Sequence, residues 1–188
     1  MPEITACVLE AIRSISKTKS PILVAVDGRC CAGKTTLAQS LQKETGCVVF
    51  HMDDFFLRPG QRTRRRYQEP GGNVDYERFF TEVMEPLTEH RLFAYRPYDC
   101  RRQALLEAVQ IQPCELAVIE GSYSCHPTLR DFYDLRIFMD VAKEEQCRRI
   151  AQRNGETALR VFLEKWIPLE EAYFQAYDIQ NRCDLCFQ

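Results

Sequence analysis

The run Gly28-Arg29-Cys30-Cys31-Ala32-Gly33-Lys34-Thr35, followed by Thr36, has the spacing GxxxxGK[ST]. Those residue types suit one task, the cradling of phosphate. Glycines at 28 and 33 permit positive φ and let backbone N–H groups approach phosphate oxygens, and a helix starting behind them presents its positive end. Lys34 is then placed to reach the β and γ phosphates of a nucleotide, and the Thr35 hydroxyl to ligate Mg²⁺. Gly28, Arg29, Cys30, Cys31, Ala32, Gly33, Lys34, Thr35 and Thr36 are therefore the expected nucleotide-binding residues. A helix N-terminus and Lys34 beside Cys30 and Cys31 are conditions that lower a thiol pKa, so these two are either an oxidisable switch or variable loop positions without a role.

Two acidic segments close apolar runs: His51-Met52-Asp53-Asp54-Phe55-Phe56 and Val118-Ile119-Glu120-Gly121. Phosphoryl transfer to an alcohol needs a group to orient and deprotonate the hydroxyl, Mg²⁺ against the polyphosphate, and cations on the equatorial oxygens. Asp53 is the candidate base and Glu120 the candidate metal-side carboxylate, directly or through water. A lone Asp after a strand is as readily a helix cap or turn former. Two such tips beside a phosphate loop favour chemistry.

The elements that must position these groups follow from periodicity. Ile22 to Val26 is a β-branched run suited to a buried parallel strand, and Leu37, Ala38 and Leu41 continue in helical spacing. Helical spacing also marks Ile4 to Ile15 and the stretches near 75–89, 143–153 and 156–178. Further strands are expected at Cys47–His51, Leu116–Glu120, Leu135–Met139 and Cys183–Phe187. Strands alternating with helices predict an α/β fold whose parallel sheet is covered on both faces, with ligands at the carboxyl ends of its strands. Arg58 to Gly72 reads as a loop, and Leu92–Tyr95 with Ala108–Gln112 as a small hairpin. Both lie where an acceptor-binding insertion belongs.

At 188 residues with a net charge of −2, the chain shows no global attraction to nucleic acid or to an anionic membrane. Its apolar runs fall far short of the roughly 20 residues of a membrane helix, and its N-terminus lacks a signal-peptide pattern, so a soluble cytoplasmic protein is expected. Ten cysteines with no secretion signal read as reduced, mostly small buried hydrophobes. Cys183 and Cys186 form a lone CxxC without the second pair or nearby histidines of a zinc knuckle. Arg62, Arg64, Arg65 and Arg66 make one dense basic cluster, either a solvated loop or a grip for an acceptor that already carries phosphate.

Through DGRCCAGKTTLA, HMDDFF, GGNVDYERF, YRPYDC, VIEGSYS and KWIPLEEAYF, over nearly all of residues 21–187, the chain resembles the uridine kinase, phosphoribulokinase and nicotinamide riboside kinase group of P-loop kinases. It looks most like the bacterial members named uridine kinase. The resemblance implies a P-loop NTPase, nucleoside-kinase-like fold: a five-stranded, mainly parallel sheet with helices on both faces and a small acceptor-site insertion. It implies a single domain over 1–188, with the insertion at about 55–112 and a lid at about 145–160. It implies ATP and Mg²⁺ as cofactors, Asp53 as base on the acceptor hydroxyl, Asp75 as the carboxylate gripping a vicinal diol, and Tyr98 as a wall of the acceptor pocket. Arg149 and Arg153, which share one face of the lid helix, would close over the phosphates beside Lys34.

The implied partner is a small nucleoside-like acceptor rather than nucleic acid or membrane, with monomer and homo-oligomer both open. The pattern departs in one place. Where pyrimidine nucleoside kinases follow the Tyr-Asp pair with a base-reading histidine, Tyr98-Asp99 leads here to Cys100-Arg101-Arg102-Gln103-Ala104. Nicotinamide riboside, pantothenate or a sugar phosphate are thus alternative acceptors. A non-catalytic nucleotide-binding regulator is the alternative from another class. Asn181-Arg182-Cys183-Asp184 resembles a guanine-reading motif but precedes the last strand instead of following one.

Overall fold

The apolar run before the phosphate loop is the central strand of the molecule. In the computed structural model, which describes residues 1–188, α1 (Pro2–Ile15) leads to β1 (Ile22–Gly28), buried along its whole length. The loop and α2 (Lys34–Thr45) follow, then β2 (Val48–His51) and a 3-10 turn at Met52–Phe55. The excursion that follows holds α3 (Arg64–Gln68), α4 (Tyr76–Phe79), a wide π turn at Phe80–Met84 and α5 (Glu85–Thr88). Two small antiparallel pairs complete it: β3 (Phe93–Tyr95) with β6 (Val109–Ile111), and β4 (Tyr98–Asp99) with β5 (Ala104–Leu105). The chain re-enters the sheet through β7 (Leu116–Glu120) and β8 (Leu135–Met139). It closes with α6 (Lys143–Asn154), α7 (Glu156–Val161), a second π turn at Phe162–Trp166, α8 (Ile167–Tyr177) and β9 (Leu185–Phe187).

The main sheet runs β2-β7-β1-β8-β9, and every pairing in it is parallel. Alternation along β1 supplies both faces: Ile22, Val24 and Val26 pack with Val8, Ile12, Leu37 and Leu41 from α1 and α2, whereas Leu23 and Ala25 face Tyr173, Phe174 and Phe79. This order places the carboxyl ends of β2 and β7 side by side, with His51 registered against Glu120 and Val26 of β1 against Glu120 from the other side. The expected hairpin of 92–95 with 108–112 is present as β3 and β6.

Three expectations need correction. Arg58–Gly72 is not wholly loop. A 3-10 turn spans Pro59–Gln61, and α3 starts with the Thr63 hydroxyl capping the Arg66 N–H. The last strand begins at Leu185, because the preceding Gln180–Arg182 forms a 3-10 turn and Asp184 is drawn to the Arg136 guanidinium at 3.0 and 3.1 Å. That pairing also occupies the acid of the guanine-like motif. Both long helices are widened by π turns, each followed within two residues by a proline, Pro86 or Pro168, which lacks the N–H a continuous helix needs. All ten cysteines are free, no group of three His, Cys, Asp or Glu could hold a metal, and no helix is long and apolar enough to cross a membrane.

Candidate active site

The phosphate loop turns where only glycine fits. Gly28 has φ of +130°, and a Cβ there would lie 2.0 Å from the Met139 carbonyl oxygen of β8. Gly33, at φ +99°, is the N-cap of α2. Just before the turn, Asp27 is fully buried and accepts four hydrogen bonds: from the N–H of Gly28 (2.7 Å), Tyr123 (3.1 Å) and Cys125 (2.8 Å), and from the Tyr173 hydroxyl (2.8 Å). Burial pushes this carboxyl up, while its donors and Lys34 pull the other way. Asp27 thus joins the loop to the turn after β7 and to α8.

Lys34 is 8% exposed, and its Nζ donates to the Gly28 carbonyl (2.6 Å), the Arg29 carbonyl (2.8 Å) and Ser122 Oγ (3.3 Å). The loop is also held from α8 by two successive glutamates. Glu170 accepts from the Cys30 N–H (3.1 Å) and Ser122 Oγ (2.8 Å), and Glu171 forks with Arg29 at 2.7 and 3.0 Å. Asp140 takes the remaining side of the Arg29 guanidinium. Glu170 is buried, and burial pushes its carboxyl up against the pull of Lys34. Sequence periodicity offered one unused signal for it: Glu170 shares the stripe of Tyr173, Phe174 and Tyr177, where an apolar residue belongs.

Thr35 and Glu120 meet. The Thr35 hydroxyl lies 3.2 Å from each oxygen of the Glu120 carboxylate, which is itself buried at the tip of β7. His51 Nδ1 stands 2.6 Å from the same carboxylate, and that hydrogen bond raises the imidazole pKa against the opposing effect of burial. A hydroxyl and a carboxylate are hard oxygen donors of the kind Mg²⁺ takes when nucleotide phosphates and waters supply the rest. Asp53, on the 3-10 turn after β2, opens onto the same cavity and has no hydrogen-bond or ion-pair partner. It is open to solvent on the cavity side, yet the protein around it raises its carboxyl pKa, with the Glu120 charge adding and Lys34 opposing.

A cavity of about 730 Å³ gathers these groups, lined by Lys34, Thr35, Asp53, Glu120, Arg149 and Arg153 among others. From α6, Arg149 donates to the Cys31 carbonyl (3.0 Å) and to Glu145 (2.7 Å), while Gln146 donates to the Cys30 carbonyl (3.1 Å). Arg148 and Arg149 together hold Glu145 down at about 2. The two thiols are not lowered: burial pushes both Cys30 and Cys31 up, with the Glu170 charge adding at Cys30 against Lys34, while at Cys31 burial prevails over the opposing charges of Arg153 and Lys34.

The acceptor-side expectations separate. Asp75 is buried and does not line the cavity; it caps α4 through the Arg78 N–H (3.2 Å) and accepts from Gln61 Nε2 (2.7 Å). Tyr98 is buried behind the wall, and its hydroxyl accepts from Arg62 Nη2 (3.3 Å). The arginine cluster divides three ways. Arg62 lines the cavity, Arg64 and Arg65 are exposed, and Arg66 is a brace that donates to the Gly72 and Val74 carbonyls and to Glu77 while lying 4.3 Å from the Tyr76 ring. Asn73, Ser122, Tyr67, Lys165 and Trp166 complete a wall that the sequence patterns did not single out.

No family model matches the chain. It is 26% identical over 139 residues to a protein of Ureaplasma parvum serovar 3 named uridine kinase, a match covering 68% of this chain and 66% of that relative. The chain therefore spans just under two thirds of that relative's length. Among solved structures, a possible uridine kinase from Bacillus stearothermophilus superposes with a TM-score of 0.77 at 21% identity, covering 100% of this chain and 98% of the other. A protein from Silicibacter sp. TM1040, provisionally described as a fructose transport system kinase, gives 0.75 at 22% identity with 98% of both chains covered. The chain has the P-loop kinase fold and resembles, over two thirds of its length, proteins named uridine kinase.

Proposed function

We propose that this chain is, as one catalytic domain, an ATP-dependent kinase that transfers the γ-phosphoryl group to a hydroxyl of a small diol-bearing acceptor, nucleoside-like in class. The observation that carries the proposal is the convergence of Lys34, the Thr35–Glu120 pair at 3.2 Å and the unpartnered Asp53 on one cavity. A phosphate loop alone supports nucleotide binding; a free carboxylate facing the metal-side pair supports transfer. Thr35 and Glu120 would hold Mg²⁺, which when bound neutralises charge on the phosphates.

In this proposal Asp53 takes the acceptor's hydroxyl proton as its oxygen bonds to the γ-phosphorus, and the bond from that phosphorus to the β–γ bridging oxygen breaks to release ADP. Lys34, Arg149 and Arg153 face the charge that develops on the phosphoryl oxygens. Arg149 and Arg153 enter from α6, so closure of this lid over the nucleotide would exclude water and suppress hydrolysis. Ten free cysteines suit the reducing cytoplasm.

The test is ADP release from Mg-ATP against uridine, cytidine, adenosine, nicotinamide riboside, pantothenate, fructose and ribulose 5-phosphate, with a no-acceptor control. Stimulation by one member supports the kinase and names its acceptor class. Silence across the panel with ATP still bound supports a nucleotide-binding regulator instead.

A further inference from the structure

The cavity is also lined by two cations that the γ-phosphoryl transfer does not use. Arg62 and Lys165 both line the cavity, and neither has a carboxylate within 4.0 Å, whereas Arg58, Arg66, Arg78 and Arg102 of the same excursion all pair with acids. Arg62 is held in place without being neutralised. Its Nε donates to the Leu57 carbonyl (2.9 Å) and its Nη2 to the Tyr98 hydroxyl (3.3 Å), which leaves Nη1 without a partner. Lys165 lies over two rings, 4.6 Å from the centroid of Tyr67 and 4.4 Å from that of Trp166, and makes no hydrogen bond.

The segment bearing Arg62 is anchored from behind. Gln61 bridges the Arg58 N–H (3.0 Å) and buried Asp75 (2.7 Å), so the Asp75 carboxylate fixes the turn from which Arg62 projects. Arg62, Cys100 and Asp53 line the same cavity, so the guanidinium and the candidate base open onto one space. A neutral nucleoside leaves both cations unmatched. A guanidinium with an open N–H edge and an ammonium on the same cavity match a phosphate ester or a carboxylate.

We propose that Arg62 and Lys165 form an anion subsite, so that the acceptor is a small polyol already carrying a phosphate or carboxylate at the end away from the hydroxyl that is phosphorylated. This rests on the kinase reading of the same cavity and, within diol-bearing acceptors, puts an anionic polyol in place of a neutral nucleoside. Asp75 acts in it as a positioning residue behind Arg62.

Trp166 is the chain's only tryptophan and lines the cavity, so its emission reads occupancy directly. The phosphate loop is first filled with Mg²⁺ and a non-hydrolysable ATP analogue, which denies the loop's own cations to the probe. Ribose, ribonate and ribose 5-phosphate are then titrated into the wild type, Arg62→Gln and Lys165→Gln. Binding of ribonate or ribose 5-phosphate at least about tenfold tighter than ribose, with that preference cut about tenfold or more in each variant, supports the subsite, since a hydrogen bond between charged groups contributes on that scale. Which of the two charged sugars binds tighter identifies the anion. Equal affinity for all three, no response to any, or a charge preference untouched by both variants overturns it. ADP release with ATP in the same samples reads the kinase separately: charge-selective binding without turnover counts against the proposed reaction and leaves the subsite standing.

Discussion

Asp53→Asn tests the proposed chemistry most directly because Asp54 beside it is an internal control. Asp53 faces the cavity and makes no hydrogen bond within the protein, so replacing it removes no structural contact. Stability should change by less than about 0.5 kcal/mol, and the melting temperature by less than about 2 °C for a chain of this size. Turnover should instead fall by roughly 10²–10⁴-fold, the scale of a lost general base, or about 2.7–5.4 kcal/mol at 1.36 kcal/mol per decade. Asp54 is half-buried, and burial together with the neighbouring Asp54 charge pushes the Tyr95 hydroxyl up, a contact that an asparagine would relieve of its charge. Asp54→Asn should therefore shift stability by no more than about 1 kcal/mol and leave turnover within severalfold of wild type.

The assay is acceptor-dependent ADP release for both variants, with ATP affinity by calorimetry and melting by scanning calorimetry. A pH profile adds a second reading. The base must be ionised, and its folded pKa is raised above 3.8 by its surroundings and by Glu120, so kcat/KM should fall as pH drops through a limb lying above 3.8. That limb should be missing in Asp53→Asn. Wild-type turnover in Asp53→Asn, or equal losses in both variants, would refute the assignment of the base.

Four further outcomes are expected. Asp27→Asn sets an NH₂ against at least one of three buried N–H donors and should lower stability by about 3 kcal/mol, seen as a drop of about 6–12 °C in melting temperature. Gly28→Ala, whose Cβ meets backbone at 2.0 Å, should abolish soluble folded protein, as judged by circular dichroism of whatever is recovered. Glu120→Gln should raise the Mg²⁺ concentration needed for half-maximal ADP release by about tenfold or more, since an amide is a poorer donor than a carboxylate to a hard cation. Because burial pushes the Cys30 and Cys31 thiols up, iodoacetamide near neutral pH should label exposed Cys7 well before either, a rank order that mass spectrometry reads peptide by peptide.

What could be read from the chain was whatever depends on neighbours in sequence. The β-branched run into Gly28, the glycines, Lys34 and Thr35 are a local pattern with a local meaning, and the strand tips bearing Asp53 and Glu120 follow from strand length alone. Their meeting needed the sheet order, which depends on how the 64 residues between β2 and β7 pack and has no signature in either strand. Asp75 shows the limit from the other side. A carboxylate before a helix suits both a cap and a ligand, and only its burial and the Gln61 contact show which partners it has here. The arginines of 62–66 look equivalent as a run, yet Arg62 ends the 3-10 turn before α3 and lines the cavity, whereas Arg66 sits within α3 in a braced corner.

The clamp of Glu170 and Glu171 on the phosphate loop also bears on the order in which the site is made. The loop's own residues leave the ribosome early, but the carboxylates that hold the Cys30 N–H and the Arg29 guanidinium lie 140 and 142 positions later. A nascent chain halted before α8 would carry the whole phosphate-binding signature with its outer fastening still unmade. Nucleotide capture should thus await the synthesis of α8 rather than follow that of the loop, and a chain cut at Gly155 should bind ATP far more weakly than the motif alone would suggest.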